Sequence, residues 1–251
     1  MRYFIELAYN GTAYYGWQRQ PRQTSVQETL EQAIATILRA PELEITGCGR
    51  TDTGVHASQY FAHFDFEGSF PPAFLERLNK FLPKDIAIRR IFPVAPEQHA
   101  RFDAHYRAYA YHLSWQKNPF QQDTLLLFPR ARHFATDLMQ EAAQLLLAYE
   151  EFLPFCKTGS DAKTMRCQLH RSEWEFRADE WVYHIAANRF LRGMVRLAVG
   201  MCLSVGEGKV TLDQVRHAMD TQTRLDKSWS VAPNGLFLTE VRYAFMAEPE
   251  G

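Results

Sequence analysis

The stretch LEITGCGRTDTGVHASQYFAHFDF, residues 43–66, reads as two strand-like segments separated by one polar loop. The strands are predicted over about 43–49 and 57–66, because the second segment alternates aromatic or small residues with polar ones. Asp52 lies in the loop. Two adjacent strands form the centre of a β-α-β-β-α-β unit when helices flank them, so the fold depends on the neighbouring sequence.

Both flanks of this stretch supply the required elements. A strand is predicted over 2–9, and Ser25 with Glu28 forms a capping-box pattern that begins a helix. Downstream, a helix over about 72–82 and a strand over about 85–94 complete the series. The first half is therefore predicted to be a ferredoxin-like β-α-β-β-α-β unit.

The second half repeats the order of elements without repeating the sequence. We therefore predict an α+β fold of two pseudo-duplicated ferredoxin-like halves, residues 1–100 and 101–251. Their two sheets are expected to join into one mostly antiparallel sheet with helices packed on one face. The predicted elements of the second half are strands at 105–115, 166–177, 181–187 and 236–245, and helices at 136–149, 190–204 and 211–220.

Composition limits the classes of function. The chain has 251 residues, 46% of them hydrophobic, and 28 Lys and Arg against 29 Asp and Glu, so a nucleic-acid surface would require segregated charge. Four cysteines without C-x-x-C spacing, a strand-like start and no apolar run near the ~20 residues of a membrane span predict a soluble, cytoplasmic protein. No metal or nucleotide motif is present, which favours chemistry by side chains alone.

The loop around Asp52 is the first candidate for chemistry. An arginine two residues upstream and a glycine two residues downstream suit a loop that keeps an ionised carboxylate next to fixed positive charge. A generic D-x-G sequence is more often a structural turn, and the pair with Arg50 would then be a surface ion pair. His56 is either a general base or a hydrogen-bonding structural residue, and the second interpretation is favoured.

Basic and aromatic residues form three further candidates. On a helix, Arg189, Arg192 and Arg196 would fall within roughly 60° of one another, as either a solvated face or a phosphate-binding stripe. On the strand at 105–115, Tyr109 lies beside small and charged residues, which is typical of core packing or of a platform for an extruded base. Arg19 and Arg22 follow an exposed-looking tryptophan, a weak indication of RNA contact.

Five blocks, in this order, resemble the A family of tRNA pseudouridine synthases. The block around Asp52 is the most specific of them, and together they span nearly the whole chain. They are YNGTAYYGWQRQ (9–20), GRTDTGVHA (49–57), RFDAHYRAYAYHL (101–113), NRFLRGMVRLAVG (188–200) and APNGLFLTEVRY (232–243).

The resemblance implies an isomerase that converts uridine to pseudouridine at positions 38–40 of the tRNA anticodon stem-loop, as a homodimer without cofactor or metal. It implies that Asp52 is the nucleophile and that Arg50 helps to displace the target base. It also implies that Tyr109 stacks on the uracil and that Arg196 is the basic partner of the Asp52 carboxylate. The candidate RNA-binding residues are Arg19, Arg22, Lys163, Arg166, Arg189 and Arg192.

Three chemical routes stay open for Asp52: addition to C6 of uracil, attack on C1′, or abstraction of a sugar proton to form a glycal. Two other functions compete. A non-catalytic RNA-binding protein of the same fold would keep the basic residues and tyrosines without needing Asp52. An Asp-dependent glycoside hydrolase would need a second carboxylate across the cleft, and no motif supplies one.

Overall fold

The computed structural model describes residues 1–159, 162–227 and 229–246. The chain divides into two compact units. Unit 1 comprises residues 1–105 together with the chain from Phe237 onward, and unit 2 comprises residues 106–236. The last strand of the sequence thus belongs almost entirely to the unit that contains the first strand.

Unit 1 is a sheet with two helices. Its elements are β1 (Arg2–Tyr9), α1 (Val26–Leu38), β2 (Thr46–Gly47), β3 (His56–Asp65), α2 (Phe74–Phe81), β4 (Ile86–Val94) and β9 (Leu236–Tyr243). The strands run in the order β4-β1-β3-β9, with the short β2 paired to β3. The β3–β9 pair is parallel, and β1 pairs antiparallel with both β3 and β4.

The start of α1 follows from its sequence. The Ser25 side chain accepts a hydrogen bond from the backbone N–H of Glu28 at 3.2 Å and so satisfies one donor of the first turn. The buried face of α1 presents Leu30 and Ile34, and β1 buries Ile5 and Leu7 on one face of the strand. Burying these side chains contributes about 1.5–3 kcal/mol each.

Unit 2 holds the remaining elements. Its elements are β5 (Ala104–Ser114), β6 (Leu126–Leu127), α3 (Thr136–Leu145), β7 (Leu169–Phe176), β8 (Trp181–Ala187), α4 (Met194–Gly206) and α5 (Leu212–Thr221). The strands run in the order β5-β8-β7, all antiparallel, and the two-residue β6 pairs parallel with β5. Helix α5 begins with a full capping box, because the side chains of Thr211 and Gln214 each accept from the other residue's backbone N–H.

The strand predicted over 43–49 is wrong in length, since only Thr46–Gly47 pair with β3. The cause lies in α1, whose side chains bind the backbone at Ile45. The Ile45 N–H donates to Glu31 at 3.0 Å, and its carbonyl accepts from the Gln27 side chain at 2.9 Å. These groups are therefore satisfied by a helix rather than by a neighbouring strand.

The prediction of a mixed, mostly antiparallel α+β fold is confirmed. The finer predictions, two ferredoxin-like halves at 1–100 and 101–251 with joined sheets and helices on one face, stay predictions. In the part of the chain that the structure describes, no helix is both long and apolar enough to cross a membrane.

Candidate active site

Asp52 sits in a tight turn that leads into β3. The Val55 N–H donates to the Asp52 carbonyl at 3.1 Å, and Gly54 adopts φ +76° inside the turn. That left-handed conformation favours glycine, which explains the residue two positions after the aspartate. Asp52 itself is half-buried.

Residues 11–17, which we call the glycine segment, lie against the back of this turn. The Gly54 N–H donates to the Tyr14 carbonyl at 3.2 Å, and the Trp17 N–H donates to the Thr51 carbonyl at 3.4 Å. A Cβ atom on Gly11 would lie 2.0 Å from the Val55 carbonyl oxygen. A Cβ atom on Gly16 would come within 2.2 Å of the Thr51 carbonyl oxygen, so glycine at both ends permits the approach.

Side chains also brace the turn. The hydroxyls of Tyr9 and Thr51 form a hydrogen bond of 2.9 Å, and the Tyr60 hydroxyl donates to the Gly49 carbonyl. Trp17 stacks on Tyr60 with ring centroids 4.1 Å apart and is only 2% exposed. The interpretation of Trp17 as exposed is therefore wrong: its ring is a structural support of the aspartate turn.

His56 is completely buried at the start of β3. Its Nδ1 accepts a hydrogen bond from the Gly11 N–H at 3.0 Å, and its ring stacks on Phe237 at 4.5 Å. Because Nδ1 already accepts the Gly11 N–H, this nitrogen is not available to take a proton from a substrate. The geometry supports the structural interpretation of His56 over the general-base interpretation.

The candidate basic residues of unit 1 lie on the surface. Arg50 is exposed, and no ion pair of its side chain is found within the described residues, so the possible surface pair with Asp52 is not formed. Arg22 is exposed, with a left-handed φ of +62°. Arg19 is exposed as well, and its guanidinium lies 3.7 Å from Glu28 and 3.6 Å from Glu31.

Tyr109 lies on β5 in unit 2 and is half-buried, with its ring edge-on to Phe190 at 5.2 Å. Tyr111, two residues along the strand, is completely buried, and its hydroxyl donates to the Ala232 carbonyl at 2.8 Å. Burial raises the pKa of the Tyr111 phenol, against the influence of the Arg196 charge. The two tyrosines thus differ in burial, because Tyr111 belongs to the core and Tyr109 is only half-buried.

Arg196 lies in the first turn of α4 and is half-buried. Its Nε donates to the Val231 carbonyl at 2.7 Å, and the Val231 N–H donates back to the Arg196 carbonyl at 3.2 Å. The guanidinium is therefore oriented by a backbone group. The sequence analysis does not predict the part played by Val231–Ala232, whose carbonyls accept from Arg196 and Tyr111, although Ala232 begins the last of the five blocks.

The prediction that Arg189, Arg192 and Arg196 share one helical face is wrong. The helix expected from about residue 190 begins at Met194. Gly193 adopts φ +72°, and the Arg192 carbonyl accepts from the Lys157 N–H at 3.0 Å instead of from a helical partner. Arg189 and Arg192 consequently lie in an irregular segment before the helix. Arg192 is exposed and also donates to the Gly159 carbonyl at 3.3 Å.

Lys163 and Arg166 are both exposed in unit 2, and Arg166 forms an ion pair with Glu150. An exposed pair of this kind contributes little to stability, so Arg166 is available to a competing phosphate at small cost. In the described ranges, no cluster of three or more His, Cys, Asp or Glu side chains is arranged to hold a metal ion.

Comparison with known proteins identifies the family. The sequence model of the tRNA pseudouridine synthases matches residues 7–103 and 142–244. The chain belongs to this family.

Relatives named tRNA pseudouridine synthase A agree with that assignment. The protein of Parabacteroides distasonis is 44% identical over 244 residues, covering 96% of both chains. The proteins of Porphyromonas gingivalis and Bacteroides fragilis are also 44% identical, and each match covers 96% of this chain. The matches cover 97% of the Porphyromonas gingivalis protein and 96% of the Bacteroides fragilis protein. The resemblance and the prediction of an enzyme of the pseudouridine synthase class, an isomerase, are confirmed.

Proposed function

We propose that this enzyme isomerises uridine to pseudouridine at positions 38–40 of the tRNA anticodon stem-loop, with Asp52 as the nucleophile. The observation that carries the proposal is the turn at Asp52, in which the most family-specific sequence block becomes a half-buried carboxylate on a fixed backbone. Membership of the pseudouridine synthases supplies the reaction class. The stem-loop position follows from the resemblance of the sequence blocks.

The chemistry suits a single carboxylate. Isomerisation breaks the C1′–N1 bond, turns the uracil ring and forms a C1′–C5 bond, while the proton on C5 is lost and N1 gains one. No atom enters or leaves overall and nothing is oxidised, so a nucleophile in a shaped pocket is sufficient. Addition to C6, attack on C1′ and the glycal route each use the Asp52 carboxylate and all fit this site.

Three further residues receive roles in the proposal. Arg196, whose Nε donates to Val231, is assigned as the basic partner of the Asp52 carboxylate, as the resemblance implies. Tyr109 stacks on the uracil of the extruded nucleotide, and its ring is held edge-on by Phe190. Arg50, exposed next to the turn, helps to displace the base from the stem-loop.

The proposal includes a homodimer in the cytoplasm whose basic residues form one RNA-binding groove. In a chain of net charge −1, such a groove requires that exposed cations be segregated from acids. A 29.1 kDa chain is small for a helical, multi-phosphate target, which favours two copies presenting a joint surface. The groove residues are Arg19, Arg22, Lys163, Arg166, Arg189 and Arg192.

Salt titration tests the groove. The logarithm of the tRNA association constant is expected to fall against the logarithm of salt concentration with a slope of several units, because each neutralised phosphate releases counterions. Sedimentation at micromolar concentration measures the oligomeric state. Affinity that is indifferent to salt between ~50 and ~200 mM, or a monomer, contradicts the groove without affecting the Asp52 chemistry.

We also assign the fold to a duplication, with halves at 1–100 and 101–251 whose sheets are joined. The support is that the family's sequence model matches two separate stretches. Residues 142–244 lie within the second half, and residues 7–103 lie within the first half except for the last three. Unit 1 also shows the order β1-α1-β2-β3-α2-β4, as such a half requires.

Incubation with an unmodified tRNA transcript tests the activity. The expected result is pseudouridine at positions 38–40 without added cofactor, mapped at nucleotide resolution. Tight binding of the transcript without any product would contradict the proposal and indicate a non-catalytic RNA-binding protein.

A further inference from the structure

We propose that His56 is a positioning residue for Asp52, which acts by holding the glycine segment behind the aspartate turn. This inference rests on the proposed function, since it concerns the same carboxylate. It assigns a task to a residue for which the sequence left two interpretations open. The task requires the neutral imidazole and its hydrogen bond rather than proton transfer to a substrate.

The contact that carries the inference is the bond from the Gly11 N–H to Nδ1 of His56. Because a backbone N–H can only donate, Nδ1 must be the acceptor, and a neutral ring then carries its proton on Nε2. The ring is completely buried, and its stacking on Phe237 at an interplanar angle of 25° restricts its rotation. His56 therefore holds Gly11 at a defined place.

Gly11 transmits this placement to the turn. It begins the glycine segment, and its missing Cβ lets it lie against the Val55 carbonyl. Later in the segment, Tyr14 accepts from Gly54 and Trp17 donates to Thr51, so the segment grips the turn on both sides of the aspartate. Releasing Gly11 frees one end of that grip, and a displacement of the order of 1 Å at a nucleophile costs up to about 100-fold in rate.

The same strand offers a matched control. His63 is also buried on β3, and its Nδ1 also accepts from a backbone N–H, that of Ala100, at 3.1 Å. It lies seven residues beyond His56, or about 23 Å along an extended strand. The two histidines thus share strand, burial and type of bond, and differ in their distance from Asp52.

The experiment compares His56→Leu, His56→Asn, His63→Leu and His63→Asn in steady-state kinetics on a tRNA transcript. For His56→Leu, kcat is expected to fall at least about tenfold while KM stays within about twofold. The Asn variant, whose side-chain oxygen can accept from Gly11, is expected to recover most of the lost kcat. Both His63 variants are expected to keep kcat within about twofold.

Equal losses in the Leu and Asn variants of His56, with both folded, would overturn the proposal, as would an unchanged kcat in His56→Leu. Should His56→Leu fail to fold, the tautomer of the wild-type ring decides, because nitrogen NMR that found the proton on Nδ1 would contradict the bond. Amide exchange at Gly54 and Trp17, faster in His56→Leu than in His56→Asn, tests the grip without any turnover. If the wild-type enzyme shows no activity, the proposed function is refuted. The amide-exchange comparison still tests whether His56 holds the glycine segment.

Discussion

The two ends of β3 use the same bond for different purposes. At its start, His56 accepts from Gly11, whose segment supports the aspartate turn; near its end, His63 accepts from Ala100. Both rings are buried and both satisfy one backbone N–H. The difference lies in what the bonded segment contacts, so the hydrogen bond of a buried histidine affects function only through the segment that it holds.

The far end of β3 is organised around charge instead of a turn. Arg2 donates to both carboxylate oxygens of Asp65, at 2.9 and 2.8 Å, and to the Gln98 carbonyl at 3.0 Å. Burial, with the charges of Arg2 and His99, lowers the pKa of His63 to about 4. We expect this end to determine stability and the Asp52 end to determine activity.

The largest effect is expected at the Asp52 end. Asp52→Asn is near-isosteric but neither nucleophilic nor basic, so pseudouridine formation should fall more than about 100-fold. Thermal unfolding and tRNA affinity should stay close to wild type, because the turn is held by backbone groups. Single-turnover assays and a binding titration measure the two quantities, and turnover above about 1% of wild type would remove Asp52 from its role.

Arg196→Met removes the residue that is proposed as the basic partner of Asp52. Activity should fall on the order of 10- to 100-fold with a smaller change in affinity, because the guanidinium orients the nucleophile more than it binds RNA. Separate measurement of kcat and KM checks this. A rise in KM alone would instead make Arg196 a phosphate contact.

Substitutions of Tyr109 distinguish stacking from a hydroxyl role. Tyr109→Phe should retain most substrate binding, whereas Tyr109→Ala should lose roughly 1–3 kcal/mol of contact with the base. Affinity for an anticodon stem-loop measures both variants. If the two behave alike, Tyr109 acts through its hydroxyl or only as packing against Phe190.

The smallest effect is expected at the far end of β3, in stability alone. The pKa of folded His63 lies below the ordinary 6.5, so the unfolded state takes up more protons than the folded state as the pH falls. The contribution of neutral His63 to the free energy of unfolding is therefore complete above about pH 6.5 and is lost towards pH 4. Between pH 7 and 5.5 the loss amounts to about 1 kcal/mol. Urea unfolding at both pH values should show this loss in wild type but not in His63→Asn. The same loss of unfolding free energy in both proteins would contradict the assignment of this pH dependence to His63.

Local sequence patterns determined much of the fold. The first strand is found where it was predicted, at Arg2–Tyr9, and the Ser25 cap begins α1, because alternation and capping act over a few residues. The loop character of Asp52 followed from its glycine in the same way. The roles of the candidate site residues stay predictions, since family membership does not test them.

The errors have long-range causes. Trp17 is buried because Tyr60, far along the chain, stacks on it. Helix α4 starts late because Lys157 binds the carbonyl of Arg192. Neither contact leaves a signal in the neighbouring sequence, and the bond from Arg196 to Val231 is equally remote.

The reaction and its site are tested together by giving the wild-type enzyme tRNA transcripts with a single uridine at position 38, 39 or 40, beside one with cytidine at all three positions. Mapping each product at nucleotide resolution measures both reaction and site. We expect pseudouridine at the single uridine of each of the first three transcripts and none in the fourth. Modification of the fourth transcript elsewhere in the tRNA, or none in any, would contradict the proposed function.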